Sequence, residues 1–248
     1  MTTYAVHQPN FLPWLGYFAK RHIADVWVYL DDVQMPGGNS YVHRVKIADP
    51  GGREIWLSLK PEKSFFGKKI SETGFAESQT RLLDALVRLE SGAHSDFLDL
   101  TAALRQALGD FSDFASLNIF LNDWIWQRCF GADPIRSRAV YRSSVFAVEA
   151  TGDARLAEIG YRVGCVTYVS GMGGDNYQSE ATYHDRGIAL KRFSPALALA
   201  GDLGGQSVAA FIRKHGYSGT AAIIRDVVSA AELSSPGNLP HQSMVSPR

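Results

Sequence analysis

The chain has 248 residues, enough to bury a full core in one domain or two closely packed ones. Its composition, 46% hydrophobic, 20% charged and 11% aromatic, is that of a globular protein, and 25 Lys and Arg against 25 Asp and Glu leave no net field that would favour nucleic acid. No window is apolar long enough to span a bilayer and the start lacks a basic stretch followed by an apolar run, so the chain reads as cytoplasmic, with neither membrane nor nucleic acid as partner.

The first element in chain order is a strand over residues 4–6 (Tyr-Ala-Val), short, apolar and partly β-branched. It runs into a polar cluster, His7, Gln8 and Asn10, stiffened by Pro9 and Pro13. Residues 14–23 carry Trp14, Leu15, Tyr17 and Phe18 at the spacing of a helix face, and Gly16 permits close approach to the backbone. A second strand over 24–30 ends in the paired carboxylates Asp31 and Asp32, so the opening is a β-α-β unit. Residues 41–48 and 54–60, separated by Asp49-Pro50-Gly51-Gly52, form a hairpin that carries Arg44, Lys46 and Lys60. Residues 61–69, charged and aromatic, read as a mobile loop.

Apolar residues recur at helical spacing over 78–89, 95–108 and 118–130. A strand follows over 136–141, with a helix over 155–163 and a strand over 166–170 running into Gly171-Met172-Gly173-Gly174. One or two short helices fall within 203–231. The organisation is therefore α/β: a mostly parallel, Rossmann-like sheet with an inserted β-hairpin and a helical section at about 78–130, in a single domain over residues 1–233, then a polar, disordered tail over 234–248.

Three groups of residues carry chemistry. The strand end at His7 turns into a helix start, the place where open α/β sheets keep their ligands. The run Ser170-Gly171-Met172-Gly173-Gly174-Asp175-Asn176-Tyr177 exposes backbone N–H groups that suit a phosphate, a carboxylate or a developing oxyanion. Asp31 and Asp32 close the strand next to His7, where either would serve as base or as partner to an imidazolium, or would bind a turn, the commoner task of Asp at such a position. Ser143-Ser144 reads as a helix cap. The two cysteines, Cys129 and Cys165, are too few for a disulfide framework or a structural zinc site, and Cys165 sits in an apolar strand-like run as an inert thiol. No zinc spacing, P-loop or nucleophile elbow is present, and no metal is assigned.

The segments His7-Gln8-Pro9-Asn10-Phe11-Leu12-Pro13-Trp14-Leu15-Gly16-Tyr17-Phe18, Ala24-Asp25-Val26, Leu30-Asp31-Asp32-Val33-Gln34 and Thr167-Tyr168-Val169-Ser170-Gly171-Met172-Gly173-Gly174-Asp175-Asn176-Tyr177 resemble the WbqC-like protein family over about residues 4–193. Members of that family are found with genes for cell-surface polysaccharide and natural-product assembly. The resemblance implies a small-molecule biosynthetic enzyme, a transferase acting on a sugar, amino acid or acyl derivative. Arg44 matches an arginine the family carries. Tyr41-Val42-His43 departs from a commoner Trp-Asn pair, and Ser194-Pro195-Ala196 from a His-Pro and Tyr pattern, which points to an unusual substrate choice. Pro13-Trp14-Leu15-Gly16-Tyr17 also stands where nucleotidyltransferases of the HIGH superfamily place their histidine motif, with Trp14 and Tyr17 replacing both histidines.

The sequence thus points first to group transfer onto a small-molecule or carrier-bound substrate. In this reading His7 is the general base, its pKa needing little tuning near neutrality, and Asp32 or Asp31 orients its imidazole. Gln8, Asn10, Trp14, Tyr17, Ser170, Gly171, Gly173, Gly174, Asn176 and Tyr177 bind substrate, and Arg44 and Lys60 hold an anionic part of the donor. The alternatives are nucleotidyl transfer with ATP and magnesium, and a non-catalytic carrier-binding or scaffold protein that docks through Phe65, Phe66 and the 61–69 loop. Monomer and homodimer both stay open.

Overall fold

The computed structural model describes residues 2–131, 139–171, 178–203 and 205–235. A six-stranded sheet forms its centre: β1 (Thr3–His7), β2 (Val26–Tyr29), β5 (Ala139–Arg142), β6 (Thr167–Gly171), β7 (Ala189–Ser194) and β8 (Glu232–Ser234), in the order β5-β2-β1-β6-β7-β8. The first five in that order run parallel and β8 is antiparallel to β7. The expected mostly parallel α/β sheet is therefore present. The expected hairpin is a separate antiparallel pair, β3 (Arg44–Ala48) and β4 (Glu54–Ser58), with Arg44 opposite Ser58.

Helices cover both faces, and the alternation of side chains explains how. Ala5, Trp27, Tyr29, Val169 and Phe193 point to one face, into a core shared with α1 (Leu15–Ile23), α2 (Thr80–Glu90), α3 (Ser95–Asp110), α4 (Phe114–Phe130) and α7 (Val208–Ser229). Tyr4, Val6, Val28, Tyr168 and Leu190 point to the other, onto α5 (Gly152–Arg162) and α6 (Glu180–His184). Parallel crossovers are right-handed, so moving outward from β1 in opposite directions puts the connecting helices on opposite faces. Tyr4 packs closely on α5: a Cβ on Gly160 would lie 2.2 Å from its ring, and its hydroxyl donates to Leu156 O at 3.0 Å.

Several elements depart from the sequence expectations. The strand β7 and helix α6 went unread, because Lys191 and Arg192 interrupt the apolar alternation and α6 has only five residues. Ser234, where the sequence suggested the tail begins, lies inside β8. The loop over 61–69 is tied down rather than free: Lys68 pairs with Glu62 at 2.7 Å, Met35 N donates to Lys68 O at 2.8 Å, and Phe65 packs on the core. Residues 203–231 hold one long helix, α7, broken at Gly216, whose φ of 68° a side chain would strain. Among the described residues, no helix is long and apolar enough to cross a membrane.

Candidate functional site at the switch point of the sheet

From β1 the chain crosses to β2 on one side, whereas β6 lies on the other, so the C-terminal ends of β1 and β6 flank the topological switch point. Open α/β sheets leave a crevice there because the two crossovers diverge. A cavity of about 630 Å³ occupies it, and among its lining residues are His7, Gln8, Trp14, Gly16, Tyr17 and Lys20 from the first motif, with Ser170, Gly171 and Gln178 across from them.

The loop after β1 is built into its shape. Asn118 and Asn122, one turn apart on α4, donate to Pro9 O at 2.9 Å and to Asn10 O at 3.1 Å. Leu12 takes a positive φ of 40°, a conformation that costs a side-chain-bearing residue about 1–2 kcal/mol. Its carbonyl accepts a 2.6 Å bond from Ser207 Oγ, and the same hydroxyl caps α7 by accepting from Ala209 N. Gly16 is required by its neighbour, since a Cβ there would lie 2.8 Å from Trp14 Nε1.

His7 stands edge-on to Tyr17, with ring centroids 4.6 Å apart, and parallel to Trp27 at 6.3 Å. Its Nδ1 lies 3.1 Å from Gln8 O. A carbonyl only accepts, so Nδ1 carries the hydrogen and Nε2 carries the lone pair. Burial, helped by the charge on Lys20, pushes the pKa of His7 down to about 3, so the expectation of a pKa near neutrality is corrected. Tyr17 donates to Gln8 O at 3.3 Å, and burial raises its pKa far above the ordinary value.

The carboxylates are engaged elsewhere. Asp31 accepts from Ser144 N at 3.0 Å and Ser144 Oγ at 2.8 Å, capping the 3₁₀ turn Ser143–Phe146. Asp32 accepts from Ser143 Oγ and pairs with Arg155. The partner of His7 is thus a carbonyl, and the role of Asp31 or Asp32 in orienting the imidazole does not hold: β2 ends beside β1, but both side chains turn to the segment after β5. Ser143 and Ser144 are the donors to a cap, not the cap itself.

Of the remaining expected binding residues, Gln8, Trp14, Tyr17, Ser170 and Gly171 line the cavity. Ser170 Oγ donates to Gln178 Oε1 at 2.6 Å, and Arg192, opposite Ser170 in the register, donates to the same oxygen. Asn10 is buried against α4 and is not in the cavity wall. Arg44, on β3, and Lys60, two residues past β4, lie outside the cavity wall: Arg44 stacks on Trp56 at 4.3 Å, and Lys60 is exposed. Gly173, Gly174, Asn176 and Tyr177 lie outside the described residues. Cys129 and Cys165 are both buried; burial raises each thiol, Cys129 to about 12, as an inert core residue requires. Among the described residues there is no group of three or more His, Cys, Asp and Glu that could hold a metal.

The family model of the WbqC-like protein family matches residues 8–197, which takes in the loop after β1, the hairpin and strands β2 to β7. The chain belongs to the WbqC-like protein family. No curated protein and no solved structure matches it. The WbqC-like region ends at the cavity: Ser194 and Pro195, where this chain departs from the pattern expected of the family, are in the wall, with Pro195 Cγ 3.5 Å from a Cβ placed on Gly16.

Sequence reasoning missed Lys20. It lies on α1 one turn beyond Gly16 and Tyr17, is buried, lines the cavity, and donates from Nζ to Val6 O at 3.2 Å. Desolvation lowers its pKa to about 7. The one available hint, a lysine on the apolar stripe of a short helix, is outweighed by the rule that charged residues on helices are solvated, so only the packing reveals it.

Proposed function

We propose that this protein is a small-molecule group transferase, moving an acyl, aminoacyl or glycosyl-related group in natural-product or cell-surface polysaccharide assembly. The observation that supports this reading is the lone pair of His7 Nε2, held by the Nδ1–H bond to Gln8 O in a cavity partly walled by aromatic side chains at the switch point. A hydroxyl or amine of the acceptor donates its hydrogen to Nε2. As the acceptor oxygen or nitrogen bonds to the transferred carbon, the bond to the leaving group breaks with its electron pair, and the proton passes through Nε2 to that leaving group. His7 stays neutral down to about pH 3, so the acceptor-binding form is the resting form throughout the physiological range. Tyr17 and Trp14 form an aromatic wall of a kind that suits a planar or sugar-like body.

A second reading, nucleotidyl transfer with ATP and magnesium, is favoured by one observation. The order β5-β2-β1-β6-β7 is that of a doubly wound nucleotide-binding sheet. Thermal shift on the purified chain separates the two. Nucleotides, sugar nucleotides, acyl thioesters and amino acids are compared, with and without magnesium, and a ligand that binds the folded state raises Tm by linkage. Stabilisation by thioesters or sugar nucleotides, with turnover lost in His7→Ala, supports group transfer. Stabilisation by ATP and magnesium alone, with release of pyrophosphate, replaces it with the second reading. Silence across the panel favours a protein-bound substrate or the scaffold role.

A further inference from the structure

Among its described lining residues the cavity holds one cationic side chain and no carboxylate. Lys20 is the cation. It reaches the cavity from α1, its Nζ anchored 3.2 Å from Val6 O and 5.7 Å from the centre of the Trp27 ring. The titratable groups that share the cavity wall with it are His7 from β1, Tyr17 from α1 and Tyr168 from β6, while β7 and the turn after it contribute Phe193, Ser194, Pro195 and Leu197. None of these supplies a negative charge. The acidic residues nearest in the chain and sheet among the described residues have other partners: Asp25 accepts from Thr3 N at 2.8 Å and Thr3 Oγ at 2.9 Å, Asp123 takes Arg21 at 2.7 Å, and Asp31 and Asp32 take the serines after β5 and Arg155.

A buried ammonium with no counter-ion among the described residues is unfavourable, and an apolar residue of similar volume would serve the packing better. The exception is a site whose counter-ion arrives with the ligand. We propose that Lys20 is the counter-charge for an anionic group, a carboxylate or a phosphate ester, on the small molecule that this cavity binds. The inference rests on reading the cavity as the ligand site and names the class of ligand. It also orders events at His7: the anion neutralises the charge that helps to depress the imidazole, so the lone pair becomes more basic once the ligand is seated.

The full chain labelled with ¹³C-lysine tests this by NMR of the Lys20 Cε signal, assigned by its disappearance in Lys20→Met, or in Lys20→Arg if that variant does not fold. The signal is titrated with pH in chloride, acetate, inorganic phosphate and pyrophosphate at matched ionic strength. The expected result is a midpoint near neutrality in chloride that rises in at least one other anion by about one unit, which corresponds to tenfold tighter binding of that anion to the protonated form. A rise in acetate alone identifies a carboxylate, and a rise in the phosphates alone a phosphate ester. A midpoint unmoved by every anion overturns the proposal. It is overturned too if a ligand from the thermal-shift panel stabilises Lys20→Met as much as the unaltered chain, although the cavity then remains the ligand site. If the Lys20 signal responds to anions while the panel stays silent, the anion site stands and the small-molecule reading gives way to a protein-bound substrate or the scaffold role.

Discussion

Asn118 holds Pro9 in place from 109 residues away: its Nδ2 donates to Pro9 O at 2.9 Å, and to Val42 O at 2.8 Å, so one amide ties the loop after β1 to the segment before the hairpin. Both carbonyls are interior groups that no solvent reaches once Asn118 covers them. Asn118→Ala therefore strands two acceptors, and the expected cost is about 1–3 kcal/mol in urea unfolding. Because the loop also carries Gln8 into the cavity, ligand affinity falls with stability. Unchanged unfolding together with unchanged affinity would show that the loop holds its shape without α4.

This bracket also marks where the sequence stops being legible. The β-α-β opening, the hairpin, the parallel sheet and the placement of His7, Gln8, Trp14, Tyr17 and Ser170 at strand ends all follow from local signals: alternation, helical spacing and turn residues. Asn118 and Asn122 gave no such signal, since an asparagine within a helix pattern says nothing about which distant carbonyl it meets. The same holds for Asp32. Its position beside His7 was readable from the β-α-β unit, but the direction of its side chain was decided by Ser143 and Arg155, more than a hundred residues on. Lys20 was hidden for the opposite reason, because a charged residue on a helix is ordinarily solvated and only the packing of α1 on β1 and β2 shows it to be buried.

The pairing of Asp32 with Arg155 has a direct consequence. Both side chains are largely buried, with 14% and 13% of their surfaces exposed. Asp32→Asn leaves the guanidinium without its counter-charge and is expected to cost about 3 kcal/mol of stability. Ligand affinity at saturating fold, measured by calorimetry below the unfolding transition, is expected to stay within about twofold, a change too small to count as a lost contact. A variant of normal Tm with lost turnover would return Asp32 to the reacting centre.

The pH dependence of stability separates His7 from Lys20. His7 has an ordinary value of 6.5 and a folded value of about 3, so between those values the unfolded chain binds more protons. Its contribution makes stability fall as pH drops from 6.5 towards 3 and leaves it flat above 6.5. Lys20 goes from an ordinary 10.5 to about 7 in the fold, and the same sign applies: stability rises with pH between 7 and 10.5. Urea unfolding at fixed pH values is expected to show His7→Gln flattening the first slope and Lys20→Met the second, with Lys20→Met more stable than the unaltered chain at pH 7. Slopes identical in all three chains would mean that these two groups are solvated in the fold.

Gly16 offers a variant that disturbs the cavity while leaving the fold in place. It is the second residue of α1, where alanine is favoured over glycine by about 1 kcal/mol, so glycine here answers another demand. That demand is the Trp14 indole, with Nε1 only 2.8 Å from where the alanine methyl would sit, and Pro195 at 3.5 Å on the same side. The indole is half-buried at the cavity wall and has room to turn inward, so Gly16→Ala is expected to keep Tm within a few degrees. The displaced ring then occupies ligand space, and affinity for the ligand found by thermal shift falls about tenfold, or about 1.4 kcal/mol. Calorimetric titration of that ligand measures the loss directly. Undiminished affinity, with the Trp14 fluorescence unchanged, would place the ligand against the β6 and β7 side of the cavity, where Ser170, Gln178 and Ser194 form the wall.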